Sequence, residues 1–258
     1  MTRSICLLIM MMVFSGAASA AEEGENPNIV RWAEGTIVYR TIEAQRVRAV
    51  EKYRLNVHPD GSRTVIGHTD NFDAENSINM IHRVDRNFRP LESIMAYWQG
   101  GTFNGTGLFT VRGNTLESVI DGPLGRVTHS VTVPDGLSLV PHPLATDSWH
   151  FWYYDKAKGG EQKAVIYNPQ VSPRTGVPVL GHLEPGAMSY EGTVDVTVPA
   201  GTFTVDRFNI DNAVDIYLTG PDRVLVRFLW TPADADYVLV EFPTAAADPL
   251  LRPASQAA

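Results

Sequence analysis

Two histidines in this 258-residue chain fall at strand spacing on apolar faces. In SINMIHRVD, alternation puts His82 on the side of Ile78, Met80 and Val84; in RVTHSVTV it puts His129 on the side of Val127, Val131 and Val133. An imidazole aimed at the apolar side of a sheet stands where a general base, a ligand donor or a metal ligand would sit. The alternative is a buried neutral histidine bonded to a backbone carbonyl or a hydroxyl. A denser set lies between His142 and Gly160, in HPLATDSWHFWYYDKAKGG. On a helix, His150 and Tyr154 stand at i and i+4 with Asp147 one turn before His150, an Asp–His–Tyr grouping able to polarise a carbonyl or move a proton. Trp149, Trp152 and Tyr153 equally suit a lid whose rings plug the open side of a sheet and touch a ligand. Arg207 shares a face with Phe203 and Val205, and Arg227 with Leu225 and Leu229. There an arginine either grips a carboxylate or phosphate with both nitrogens or pairs with a nearby acid such as Asp206, Asp215 or Asp222. His82, His129, His150 and Tyr154 are thus the candidate catalytic groups, and Trp149, Trp152, Tyr153, Arg207 and Arg227 the candidate ligand contacts.

Conventional signatures are missing: no H-E-x-x-H, no G-x-S-x-G, no S-x-x-K, no phosphate loop and no G-x-G-x-x-G opening a helix. The glycine-rich GGTFNGTG, residues 100–107, lies between strand-like stretches and reads as a hairpin or bulge. The seven histidines show no close ligand pair, so neither a structural metal nor a cofactor is expected.

The segments that must position these residues are short alternating runs closed by turn residues, the antiparallel pattern. KYRLNVH and SRTVIGH flank His58-Pro59-Asp60-Gly61, the clearest hairpin turn. A dozen or so such runs, among them LESIMAYWQ, MSYEGTVDVTV, TFTVDRFNI, RVLVRFLW and YVLVEF, cannot form a flat sheet without long exposed edges. The expected fold class is therefore all-β and mainly antiparallel, a strongly bent sheet or open β-barrel with one short aromatic-rich helix. That helix would be capped by Thr146 or Asp147, run about three turns and end at Gly159; an aromatic-rich strand is the competing assignment.

The chain opens with Arg3, an apolar run from Ile5 to Phe14 and small residues ending Ala18-Ser19-Ala20, the order of a secretory signal peptide cleaved after Ala20. The run is about half the length a membrane span needs. Cleavage removes Cys6, the only cysteine, and with it every thiol and disulfide. It also removes Arg3 from the 21 Lys and Arg that face 29 Asp and Glu, leaving a net charge of −9. That balance repels nucleic acid. A β-rich domain is expected from about Ile29 to Pro243, with residues 244–258 a loose tail, in the periplasm or secreted, and no transmembrane segment in the mature chain.

VTVPAGTFTVDRFNI, followed by DIYLTGPDRVLVRFLW and YVLVEF, resembles a bacterial periplasmic family of unknown function with a V-P-A-G-T-F turn. The family looks related to the lipoprotein carriers, in which a bent antiparallel sheet wraps an apolar cavity partly closed by a helix. The resemblance covers about residues 188 to 242 and implies fold and address; Val205 stands where the motif often has cysteine. Three functions follow as expectations: a carrier for an amphipathic small molecule or lipid; a cofactor-independent isomerase, lyase or hydrolase using histidine in the same cavity; or an envelope interaction module with a plugged core.

Overall fold

The computed structural model describes residues 28–123, 125–139, 144–171 and 178–242; the signal segment, His142 and the C-terminal tail lie outside these. Fifteen strands occur in chain order: β1 (Arg31–Arg40), β2 (Val47–Val57), β3 (Arg63–Asn71), β4 (Asn76–Val84), β5 (Pro90–Gln99), β6 (Thr102–Arg112), β7 (Thr115–Gly122), β8 (Gly125–Thr132), β9 (Leu137–Leu139), β10 (Gln162–Val171), β11 (Pro178–Val198), β12 (Gly201–Ile210), β13 (Val214–Thr219), β14 (Val224–Trp230) and β15 (Ala235–Glu241). They form one sheet in the order 8-7-6-5-4-3-2-1-15-14-13-12-11-10-9. Every pairing is antiparallel except β9 with β10.

Tight turns make this meander. Gly61 closes the β2–β3 turn at φ +82°, and Gly100 and Gly101, both left-handed, join β5 to β6. The glycine-rich stretch thus holds the expected hairpin, with a register shift between Tyr97 and Trp98 opposite it. The sheet curls until its halves face one another: the rings of Phe109 on β6 and Tyr167 on β10 are 6.1 Å apart, and Ser118 on β7 bonds the Tyr167 hydroxyl at 3.1 Å. Among the described residues the end strands β8 and β9 are not paired to each other, so the barrel is open.

Inward residues alternate with outward ones, as in Ala49, Glu51, Tyr53 and Leu55 of β2. The hollow is filled by a segment that is a 3-10 helix over Leu144–Tyr153, with every residue from Leu144 to Phe151 buried. The helix expected in this region is therefore present, but it is tighter than α and stops at Tyr153 rather than Gly159. The V-P-A-G turn between β11 and β12 folds onto the sheet seam, where the Ala200 N–H donates to the Leu239 carbonyl at 3.2 Å.

Candidate functional site

Alternation along β1 and β2 drives two polar side chains into the hollow, Tyr39 and Glu51. Glu51 is fully buried and holds the start of the 3-10 helix: its oxygens accept the Leu144 N–H at 2.8 Å, the Ala145 N–H at 2.9 Å and the Tyr39 hydroxyl. The first N–H groups of a helix have no partner within it, and this carboxyl supplies one to the first two. Burial pushes the Glu51 pKa up to about 7, against the opposing pull of these three donors. Asp147, also buried, is held protonated well above the usual carboxylate range by burial and by the Glu51 charge. The Asp147 Oδ1 has no hydrogen-bond partner.

Residues three apart eclipse in a 3-10 helix, and this brings His150 Nε2 to 3.7 Å from Asp147 Oδ1. The other ring nitrogen, Nδ1, bonds Ser138 on β9. Ser138, His150 and Asp147 thus lie in a row, all three buried, and the Ser138–His150 bond ties the helix to β9. The same geometry corrects the expected His150–Tyr154 pair. Tyr154 lies past the helix end, donates its hydroxyl to the Gly160 carbonyl at 2.6 Å and sets its ring edge-on to Phe208.

His82 is where alternation put it, buried on β4 with its ring 5.8 Å from that of Trp149. Burial lowers its pKa to about 3, and Nδ1 lacks a partner, so the imidazole is neutral at ordinary pH. His129 needs correction. It lies opposite Ser118, on the side that is buried in β7, yet it is exposed, as is nearly all of β8, the edge strand of the sheet. The two histidines therefore do not converge on one buried face.

Trp149 donates to the Asp222 carbonyl at 3.1 Å and Trp152 to the Leu137 carbonyl at 3.0 Å, pinning the helix from two sides. Tyr153 is 55% exposed. The arginines are neutralised. Arg207 clasps Asp215 at 2.9 and 3.2 Å, and Arg227 meets Asp236 at 2.7 Å, an acid shared with Arg40. Neither stands unpaired in the hollow.

Glu51, Tyr39, Ser138 and Arg63 were not among the candidates the sequence offered, and Asp222, expected to pair with Arg207 or Arg227, pairs instead with Arg31 and Arg63. A signal existed for Glu51 in VEKYRLNV, where alternation sets it between Ala49 and Tyr53 on an apolar face. On the outer surface a groove of about 800 Å³ is lined by Lys52, Arg54, Ile66, Pro199 and Phe242 among others, so the V-P-A-G turn forms part of its wall.

No protein-family model matches the chain, and comparison with curated proteins gives no match. Among solved structures, a β-barrel-like protein of the domain of unknown function DUF1849, from Brucella abortus, aligns over 83% of this chain and 98% of its own, with 8% identity and a TM-score of 0.55. A Bacteroides fragilis NCTC 9343 protein with a YmcC-like fold aligns over 82% of this chain and 95% of its own at 10% identity, but its TM-score of 0.28 supports no argument. No helix among the described residues is long and apolar enough to cross a membrane, which leaves strands untested. The chain, a bent and open sheet, shares the β-barrel-like fold of the Brucella abortus protein.

Proposed function

We propose that this is a periplasmic or secreted carrier that binds an amphipathic small molecule or lipid in the hollow of its sheet, with the Leu144–Tyr153 helix holding the site when no ligand is bound. One observation carries the reading: the apolar hollow is occupied by a ten-residue 3-10 helix that contains a buried, incompletely bonded carboxyl. Runs of 3-10 helix beyond three or four residues are uncommon because their hydrogen bonds are poor, and such runs often mark a hinge. An unsatisfied buried polar atom adds a penalty of about 1–3 kcal/mol. Such a plug is displaceable, and the buried side chains of the same core, among them Ile37, Met80, Met95 and Leu239, suit an apolar tail. The signal-like leader and the V-P-A-G-T-F turn support the address and a place in the periplasmic family they resemble.

A second reading keeps the hollow as an active site. Glu51, with its pKa near 7, is favoured there over His82 as the proton acceptor.

Mass spectrometry under non-denaturing conditions, on protein purified from its producing cell, tests the carrier. A co-purified apolar molecule at near one per chain is expected. Ligand-free protein whose tryptophan emission is unmoved by fatty acid or lysophospholipid would refute it.

A further inference from the structure

One rim of the barrel carries more positive charge than the described residues neutralise. Arg31 opens β1, Arg63 opens β3, the β4–β5 turn supplies Phe88, and the β13–β14 turn supplies Asp222 and Arg223. Asp222 is fully buried and accepts Arg31 Nε and Nη2 at 2.9 and 2.8 Å and Arg63 Nε at 2.7 Å. Arg63 Nη1 is taken up by the carbonyls of Gly61 and Arg86 at 2.9 and 3.1 Å. One carboxylate therefore answers two of three guanidiniums.

The third, Arg223, is left over. Its Nη1 is buried without a hydrogen-bond partner, its surroundings include the like charge of Arg63, and the one acid acting on it, Asp206, is already bound by Lys156. Burial and Arg63 lower its pKa to about 10, so it remains charged at neutral pH. Both guanidiniums lie against one ring, Arg63 at 4.0 Å and Arg223 at 4.8 Å from the centroid of Phe88, and Trp149 meets that ring edge-on at 5.7 Å. Phe88 itself sits at φ +65°, a left-handed conformation strained for an aromatic residue. Strain of this kind clusters at ligand clamps. A partly buried, unpaired cation is destabilising unless something completes it.

We propose that Arg223 and Arg63, over the ring of Phe88, bind the phosphate group of a phosphate monoester, and that this phosphate is the head group of the amphiphile whose apolar part runs past Trp149 into the hollow. The second half rests on the carrier reading; the phosphate site does not. Three guanidiniums against Asp222 leave two positive charges, and a phosphate monoester brings −1.5 to −2 at neutral pH with three acceptor oxygens. A carboxylate would leave charge over.

The test is isothermal titration of the mature protein and of Arg223→Gln with inorganic phosphate, monododecyl phosphate below its micelle concentration, and uncharged dodecyl maltoside. Arg223 is chosen because it has no ion pair to lose; its variant should melt no lower than the parent, which separates lost binding from lost fold. Both phosphates should bind the parent, the dodecyl ester about tenfold or more tighter, and Arg223→Gln should weaken both about tenfold or more. Inorganic phosphate binding with no gain from the alkyl chain keeps the phosphate site and refutes the carrier. Equal binding of dodecyl phosphate and dodecyl maltoside, unchanged by Arg223→Gln, keeps the carrier and overturns the phosphate site. Failure of all three ligands overturns both.

Discussion

Glu51 is the residue on which the interior depends most. Its folded pKa, about 7, is raised from an ordinary value of 4.5. The folded state therefore binds the proton more tightly than the unfolded chain does, and stability falls as pH rises through that window. The decline should run from about pH 4.5 to 7 and amount to a few kcal/mol, on the order of 1.4 per pH unit. Asp147, also raised, extends the decline in the same direction. Glu51→Gln should flatten this profile between pH 5 and 7 in urea titrations, while Glu51→Ala should destabilise by about 2–4 kcal/mol by orphaning the Leu144 and Ala145 N–H groups. A neighbour behaves oppositely: the Tyr53 hydroxyl is buried without a partner. Tyr53→Phe should therefore stabilise by about 1 kcal/mol, read as a rise in Tm of about 2–4 °C. His82 was legible as an inward residue because one strand's alternation settles it. A neutral, buried imidazole was one of the two readings its sequence allowed, and the depth of burial, with Trp149 beside it, decides for that one.

Elements differ in how firmly they are held. The central strands β1, β2 and β15 are hydrogen-bonded on both sides along their length, whereas the 3-10 helix is tied to the sheet by side-chain bonds, among them those of Glu51, Ser138, Ser148 and two indole donors. Hydrogen exchange should therefore release the amides of Leu144–Tyr153 before those of β1 and β2. Protection equal to that of the strands would mean a permanent plug and no entry for a ligand. Within the sheet, Gly35 lies directly opposite Tyr53, and a Cβ there would fall 2.5 Å from the Tyr53 hydroxyl oxygen. Gly35→Ala should cost about 1–3 kcal/mol by chemical denaturation. The 3-10 form of the helix was beyond reach of the sequence: its aromatics suit either spacing, and the contacts that choose between them come from strands far away in the chain.

For the whole molecule, the composition sets expectations that the fold does not alter. Removal of residues 1–20 leaves no cysteine, so the exported chain should begin at Ala21 and give no reaction with a thiol reagent, checked by intact mass and labelling. The meander itself was readable from alternation and turn residues, because each hairpin is a local event; the turn at Asp60-Gly61 and the strands beside it stand where the residues put them. Burial was not local. His129 and Ser118 share a side of the sheet, yet only Ser118 is covered, because Tyr167 from the far half of the sheet meets it and β8 is the sheet's last strand. The same closure gathers Arg31, Arg63, Phe88 and Arg223 from four turns and strand ends onto one rim, and sets Glu51 against a helix about 93 residues away in the chain. The sequence by itself determined its acidic composition, and also the succession of hairpins and the inward face of the central strands, which are set by neighbours within a few residues. Only the tertiary structure decided which inward groups are sealed, paired or left charged, because desolvation and ion pairing depend on groups that the chain brings together by curling the whole sheet.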